Sequence, residues 1–210
     1  QFLYIEDNQL TGPLPATLGS AVSLQFLYAF RNQLSGNIPR TFENLTNLKS
    51  LDLSNNQLTG TLPAFLGQLD SLENLVVTQN KFTGTFPSFS YGHSLHFVDI
   101  SFNDFSGTLP SAFINSFYLE ALIMEGCRFT GTIPAAIGNL SKLYSINMGK
   151  NLLSGVIPST MQAMNFKVLL LQNNRLTGSI PKHAWSTVAD HSVQFAVTAN
   201  LLTGPLPDSL

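Results

Sequence analysis

The sequence predicts an α/β repeat solenoid with one long parallel β-sheet, because it is built from nine copies of a single segment. The third copy, residues 56–63, reads NQLTGTLP, and an alternating apolar stretch precedes each copy. A period near 24 residues is typical of a solenoid whose repeats bury their apolar faces against each other. The copies are marked by glycines at steps of 24, 24, 24, 23, 24, 24, 23 and 26 residues: Gly12, Gly36, Gly60, Gly84, Gly107, Gly131, Gly155, Gly178 and Gly204.

The alternating stretches predict one strand per repeat. Leu51 and Leu53 point inward in such a strand, and Asp52 and Ser54 point outward. Parallel stacking would place neighbouring strands about 4.8 Å apart. The expected strands cover residues 3–6, 25–30, 50–54, 74–78, 97–101, 121–125, 145–149, 168–172 and 194–198.

A column of asparagines follows the strands, four residues before each glycine, and Cys127 replaces one member. A side-chain amide offers two donors and an acceptor, so a stack of amides can satisfy the backbone groups of successive turns. We therefore expect a buried amide ladder, with Cys127 as a buried and unreactive rung. Its amide members are Asn8, Asn32, Asn56, Asn80, Asn103, Asn151, Asn174 and Asn200.

Each copy ends in a fixed order of residue types. Thr or Ser precedes every glycine, which suits a positive φ angle, and a proline follows three residues later, where the chain leaves a strand. The apolar residues two before the glycine and one before the proline are expected in the core. The next segments, such as residues 64–69 and 135–140, predict short helical or 3₁₀ turns. An insertion in the eighth repeat falls at residues 185–191.

The whole pattern reads L-x-x-L-x-L-x-x-N/C-x-L, as in Leu48, Leu51, Leu53, Asn56 and Leu58. It resembles the plant-type subclass of the leucine-rich repeat family, which includes receptor-like kinase and receptor-like protein ectodomains and polygalacturonase-inhibiting proteins. The resemblance implies a right-handed superhelix with a concave parallel β-sheet and short 3₁₀ or helical turns on the convex side. It also implies an extracellular or cell-surface location. Because the family uses these residues structurally, the motif does not identify a ligand.

Composition excludes several classes of function. Hydrophobic residues make up 44% of the chain and charged residues 10%, with a net charge of −2, which gives no electrostatic basis for nucleic-acid binding. No apolar run is long enough to insert into a membrane. We predict no enzyme activity, cofactor or metal: His93 and His96 lack a third ligand, and His183 and His191 fall in the irregular eighth repeat.

The outward strand positions are the only ones without a structural role, and aromatic residues gather there at one end. Exposed apolar groups in a patch usually mark an interface, although a solvated sheet tolerates scattered aromatics. We expect a partner at the first cluster, with a second contact at Phe97, Asp99 and Phe102. The first cluster contains Tyr4, Glu6, Phe26, Tyr28, Phe30, Arg31 and Asp52.

Two hypotheses about function follow. The first is a non-catalytic recognition module that holds a protein or peptide ligand on the concave sheet. The second is a structural or ice-binding solenoid that uses the stacked Thr-Gly-Thr edge, although Pro13, Asn37, Val156 and Pro205 interrupt that array.

Two further expectations concern glycosylation and the extent of the domain. Asn44 and Asn139 begin glycosylation sequons, although Asn-Leu-Ser/Thr also lies close to the family consensus at that place. Residues 1–210 form a single domain of nine repeats, and neither end has a cap. We therefore expect a segment of a longer solenoid that continues into further repeats or an assembly.

Overall fold

The computed structural model describes residues 1–88, 94–109, 116–181 and 193–207. Each repeat contributes one strand to a nine-stranded parallel sheet, here called the concave sheet, whose strands pair in chain order. All nine predicted strands are confirmed, and each is three residues long. They are β1 (Phe2–Tyr4), β3 (Phe26–Tyr28), β5 (Ser50–Asp52), β7 (Asn74–Val76), β9 (Phe97–Asp99), β11 (Ala121–Ile123), β13 (Ser145–Asn147), β15 (Val168–Leu170) and β17 (Gln194–Ala196).

These strands end earlier than expected because the chain turns sharply at one position per repeat. At that position the backbone has a positive φ angle, between 50° and 56° in the residues other than glycine, which is a left-handed conformation. Gly126 occupies it in the sixth repeat with a φ of 66°. The other residues at this position are Asp7, Arg31, Asn55, Gln79, Phe102, Lys150, Asn173 and Ala199.

A second strand in each repeat was not predicted and forms a lateral face. It contains the glycine of the repeat in seven of the nine copies and ends before it in the sixth and ninth, and the φ of this glycine lies between 74° and 89° in all nine copies. Glycine and proline are rare within strands, so the sequence of this segment indicated a turn and not a strand. One lateral sheet joins β2 (Thr11–Pro13), β4 (Gln33–Gly36), β6 (Gln57–Thr61), β8 (Lys81–Gly84), β10 (Asp104–Thr108) and β12 (Arg128–Thr130); another joins β14 (Ser154–Val156), β16 (Arg175–Gly178) and β18 (Leu201–Leu202).

The predicted 3₁₀ turns are present on the convex side. Each begins directly after the proline of its repeat, which is extended and fixes the entry into the turn. The predicted insertion at residues 185–191 lies outside the described residues. The turns span Ala16–Ser20, Arg40–Asn44, Ala64–Gln68, Ala135–Asn139 and Ser159–Ala163.

The core lies between the concave sheet and these turns and is continuous along the solenoid. Its inward strand residues are fully buried through the middle repeats, for example Leu51, Leu75 and Val98. Leu10 and Leu206, which were expected in the core, are instead 41% and 74% exposed, whereas Leu14 of the first repeat is buried. In the repeats that have a neighbour on both sides, the residues of these two columns are buried, except for Ile180, which is half-buried.

The amide ladder forms, and its hydrogen bonds recur from rung to rung, but it is less buried than expected. Asn56, Asn80 and Asn200 are half-buried and Asn8 is exposed, whereas the other four amides are buried. Asn56 donates through Nδ2 to the carbonyls of Ala29, Leu53 and Ser54 at 2.9, 3.1 and 3.1 Å. Its Oδ1 accepts the Leu34 N–H at 2.9 Å. From Asn32 onward, each amide rung thus ties its own turn to the preceding repeat, whereas Asn8 bonds only within its own repeat.

Cys127 is the weak rung of this ladder. It is buried, and its thiol donates to the carbonyl of Ile100 at 3.5 Å and more weakly to that of Glu125 at 3.9 Å. A thiol lacks the amide oxygen that would receive the Phe105 N–H at this point of the repeat. We expect Cys127→Asn to raise the free energy of unfolding by about 1 kcal/mol, measured by urea denaturation. A loss of stability would show that the sixth repeat does not accommodate the amide.

Candidate functional site

Five aromatic side chains form one ordered surface at the start of the concave sheet. This aromatic patch consists of Phe2, Tyr4, Phe26, Tyr28 and Phe30. Phe2 stacks on Phe26 with ring centroids 5.1 Å apart, and Tyr4 stacks on Tyr28 at 5.0 Å. Edge and tilted contacts then join Phe26 to Tyr28 and Tyr28 to Phe30. The register of β1 and β3 produces the stacks, because Phe2 pairs with Phe26 and Tyr4 with Tyr28.

The patch is exposed although it is apolar. Phe2 and Tyr4 are 63% and 54% exposed, and the other three rings are half-buried by their neighbours. Phe2 was missing from the predicted site because the expected strand began at Leu3. The sequence could have indicated Phe2, because it lies two residues before Tyr4 and one repeat period of 24 residues before Phe26.

Charged groups border the aromatic patch on two sides. The Arg31 guanidinium lies 5.9 Å from the centre of the Phe30 ring and contacts Asp7 at 3.3 Å. Asp52 follows Tyr28 in the register of β3 and β5. Glu6 is half-buried, and its Oε2 is enclosed without a hydrogen-bond partner in the described part of the chain. The predicted residues of the first cluster therefore lie together at this end of the sheet.

The residues of the second predicted contact lie on a strand and on the turn that follows it. Phe97 and Asp99 lie on β9 and face outward, half-buried, between β7 and β11. Phe102 occupies the left-handed turn after the strand, where its ring packs over Gly126 and the Lys150 ammonium lies 5.6 Å from its centre. The sequence did not indicate the role of Lys150, because the contact joins turns two repeats apart.

Two carboxylates in the middle of the sheet have opposite pKa shifts. Burial raises the pKa of Asp99, and the charges of Asp52 and Glu125 raise it further, although hydrogen bonds from Ser101 act against the shift. Burial also acts to raise the pKa of Glu125, but the hydrogen bonds from Lys150 and Asn147 and the Lys150 charge outweigh it, so that this pKa is lowered. Asp99 is therefore the carboxylate whose charge is poorly compensated.

We expect Asp99→Asn to stabilise the protein at neutral pH. A raised pKa in the folded state means that the ionised carboxylate opposes folding above that pKa, and that the cost is absent below the unfolded value near 3.8. The amide keeps an oxygen for the Ser101 N–H, which Asp99 accepts at 2.9 Å. Urea denaturation from pH 7 to pH 3.5 should show the advantage of the variant shrinking as the pH falls through the raised pKa. Glu43→Gln, on an exposed 3₁₀ turn, is the control, and an equal profile for both variants would contradict the assignment.

The thiol and the histidine of the described residues belong to no metal-binding group. Burial raises the pKa of the Cys127 thiol to about 11, so it is protonated at neutral pH and a poor nucleophile. His, Cys, Asp and Glu side chains in the described ranges form no group of three that could hold a metal ion. His96 stacks on Tyr118 at 5.8 Å, while His93, His183 and His191 lie outside those ranges. The same ranges contain no helix long and apolar enough to span a membrane.

The two sequons occupy equivalent positions on the convex side. Asn44 and Asn139 are the last residues of the turns Arg40–Asn44 and Ala135–Asn139, and both are exposed. The hydroxyl residues that complete the sequons, Thr46 and Ser141, are exposed as well. Both sites lie on the opposite side of the solenoid from the aromatic patch.

The lateral face presents a regular array of hydroxyl groups over four consecutive repeats. The methyl groups of Thr61, Thr85, Thr108 and Thr132 approach the glycine of the following repeat, where a Cβ atom would lie within 3 Å of them. This contact orders the threonines along the sheet. The exposed members of the array are Thr59, Thr61, Thr83, Thr85, Ser106, Thr108, Thr130 and Thr132. As predicted, Pro13, Asn37 and Val156 interrupt it on either side.

Family models agree with this architecture. The model described as Leucine Rich repeats (2 copies) matches residues 22–64 and 46–91, and the model described as Leucine Rich Repeat matches residues 94–116, 118–140 and 165–186. The chain belongs to the leucine-rich repeat family. No curated protein matches this leucine-rich repeat chain.

Three solved structures show what this leucine-rich repeat chain is similar to. The PEPR1–AtPEP1 crystal structure has 29% identity over 98% of this chain and 29% of that chain, with a TM-score of 0.89. The plant peptide hormone receptor RGFR1 in complex with RGF2 has 28% identity over 99% and 37%, with a TM-score of 0.85. A plant ice-binding protein has 25% identity over 99% and 74%, with a TM-score of 0.75. The chain therefore spans about a third of the first two of these structures.

Proposed function

We propose that this leucine-rich repeat domain is a non-catalytic recognition module that holds a peptide or protein partner on the aromatic patch of its concave sheet. The observation that carries the proposal is the patch itself: five interlocked rings are ordered and remain open to solvent. Exposed aromatic clusters with a polar rim are typical of binding hot spots. Solved structures similar to the chain include a peptide hormone receptor with its ligand.

The backbone beneath the patch supports the same proposal. Strands of a hydrogen-bonded sheet, tied at their ends by the amide ladder, hold the side chains of the patch in fixed positions. A pre-organised surface loses little conformational entropy when a partner binds, which favours affinity. Arg31, Glu6 and Asp52 at the rim would orient the partner, and Phe97, Asp99 and Phe102 would extend the contact along the sheet.

The experiment that tests this function is a selection of binding peptides. A random dodecapeptide library displayed on phage is applied to the immobilised domain, and the enriched peptides are synthesised. We expect Tyr28→Ala to weaken their binding by about 2 kcal/mol, roughly thirtyfold in Kd by isothermal titration calorimetry, because a central ring of the patch is lost. The folded state should persist, since Tyr28 points outward.

Two convex variants are matched controls for this measurement. Gln68→Ala and Lys142→Ala remove exposed side chains away from the aromatic patch and should change the Kd by less than twofold. Peptides that respond to the convex variants but not to Tyr28→Ala would show that the binding face is wrongly assigned. A selection that enriches no peptide would count against the recognition module itself.

We infer that the domain works outside the cell and is N-glycosylated at Asn44 and Asn139. Their exposure on the convex side supports the inference, because glycans there leave the aromatic patch free. Expression in a eukaryotic secretory system followed by intact mass measurement tests it. Loss of the added mass in the Asn44→Gln and Asn139→Gln variants would identify the two sites, and an unmodified wild-type mass would refute them.

Ice binding is a second candidate, and the lateral hydroxyl array together with the similarity to a plant ice-binding protein favours it. Exposed threonines at the inter-strand spacing form a regular array over four repeats. If this face binds ice, the protein will show thermal hysteresis and shape ice crystals at millimolar concentration, and Thr85→Lys will reduce both. Absence of both effects in the wild-type protein would remove this candidate.

A further inference from the structure

The charges along the concave sheet are compensated unevenly. Three basic side chains next to the concave sheet form ion pairs, and their acidic partners are thereby neutralised: Arg31 with Asp7, Lys49 with Glu73, and Lys150 with Glu125. Arg128 and Asp104 form a further pair on the lateral sheet. Asp52 and Asp99 lie in the same outward column of the sheet, and the described residues provide neither with a basic partner. A partner that covers the middle of this face would therefore meet two carboxylates without a basic partner, in addition to Glu6 at the start of the sheet.

Both carboxylates are held in fixed positions by the serine two residues later. Asp52 Oδ1 accepts hydrogen bonds from the N–H and the hydroxyl of Ser54, at 3.0 and 2.7 Å. Asp99 Oδ1 accepts the N–H of Ser101 at 2.9 Å. Both serines are buried and uncharged, so these contacts orient the aspartates without neutralising them. The mutual repulsion of Asp52 and Asp99 is one reason why the pKa of Asp99 is raised.

The strand register places these carboxylates at defined distances from the aromatic patch. Tyr28, Asp52, Val76 and Asp99 are aligned across β3, β5, β7 and β9. With strands about 4.8 Å apart, Val76 lies one strand from each carboxylate and two strands, or about 9.6 Å, from Tyr28. A lysine or arginine stem could pack on the Val76 side chain while its charged group reaches both aspartates.

This spacing matches a particular conformation of a bound peptide. In a polyproline II helix the side chain repeats every three residues with a rise of 3.1 Å each, so residues i and i+3 lie on one side about 9.3 Å apart. A β-strand places residues i and i+3 on opposite sides. Aromatic surfaces are also the usual binding sites for polyproline II segments.

We propose that the peptide bound by this face carries an aromatic or aliphatic side chain against the aromatic patch and a lysine or arginine three residues away, over Val76 between Asp52 and Asp99. This inference rests on the proposed recognition function and defines its ligand class. The apolar residue supplies contact area, and the basic residue provides the missing countercharge. The same geometry disfavours a ligand with an acidic side chain at that position.

The selection with the random dodecapeptide phage library tests this ligand class when it is run on three forms of the domain. These are the wild-type protein, the double variant Asp52→Asn/Asp99→Asn, and the double variant Glu43→Gln/Asp70→Asn. The last removes two acidic charges from the convex side and so matches the change in net charge. Peptides from the wild type and from the convex variant should share the three-residue spacing of apolar and basic residues. Peptides from the concave variant should lack the basic residue.

Synthetic peptides give the quantitative result. Replacing the basic residue by glutamine, or moving it by one position, should weaken binding to the wild type about tenfold and to the Asp52→Asn/Asp99→Asn variant less than twofold. Enriched peptides that depend on Tyr28 but show no basic residue at this spacing would overturn the inference and leave the proposed function intact. Failure to enrich any peptide would instead count against the proposed function.

Discussion

Phe105→Ala is expected to lower the free energy of unfolding by about 4 kcal/mol. Phe105 is fully buried on the lateral side of the core, and its ring stacks between those of Phe82 and Phe129 at 6.2 and 6.3 Å. Removing a buried phenyl ring forfeits its transfer free energy and leaves a cavity that the rigid neighbours cannot fill. Because each repeat contacts only its neighbours, the loss falls on two adjoining interfaces in the middle of the solenoid.

Urea denaturation of Phe105→Ala, with Phe102→Ala as the matched control, measures this effect. Phe102 is the same residue type three positions earlier, but it is 43% exposed on the turn, so its removal should cost about 1 kcal/mol or less. Equal losses for the two variants would contradict the assignment of Phe105 to the core. A variant that unfolds in two transitions would show that the damaged interfaces have uncoupled the two halves of the solenoid.

Most of the fold could be predicted from the sequence because its period and its alternation have direct structural meanings. Leu51 and Leu53 identify an inward strand face, and the recurring asparagine predicts a hydrogen-bonded turn. The lateral strands could not be predicted in the same way. Gly60 and its equivalents have φ near +80°, and a strand built around such a residue arises from pairing with the neighbouring repeats. Local propensity does not contain that information.

The candidate site shows the same division between local pattern and contacts across repeats. The outward positions of Tyr4, Tyr28 and Asp52 follow from alternation, and the stacks follow from the 24-residue period. The pairing of Arg31 with Asp7, and the position of Lys150 over Phe102, depend on side chains that leave left-handed turns in different repeats. The alternation of inward and outward residues in a strand does not apply to such turns. These contacts could therefore not be predicted from the sequence.

The second large effect connects the amide ladder to the proposed function. Asn32 donates to the carbonyls of Ile5, Ala29 and Phe30 at 2.8, 3.2 and 3.3 Å, and its Oδ1 accepts the Leu10 N–H at 2.9 Å. These bonds fix the turns directly after β1 and β3. The charged residues at the edge of the aromatic patch, such as Glu6 and Arg31, lie in these turns. Asn32→Ala leaves several of these backbone groups without partners, each at a cost of about 1 kcal/mol or more. We expect a loss of about 3 kcal/mol in the free energy of unfolding.

The same variant should weaken peptide binding about tenfold, because Phe30 and Arg31 lose the fixed backbone that pre-organises them. Asn174→Ala is the matched control: Asn174 makes the corresponding four hydrogen bonds, to Met148, Leu171, Gln172 and Leu153, in the eighth repeat, away from the residues proposed to contact the peptide. It should lose comparable stability, but its effect on the affinity of peptides that bind the aromatic patch should be less than twofold, since ladder contacts act on neighbouring repeats only. Titration calorimetry at a temperature where both variants remain folded separates the two effects. Equal affinity losses in both variants would mean that the ladder supports binding through global stability, and that Asn32 has no specific role in ordering the patch.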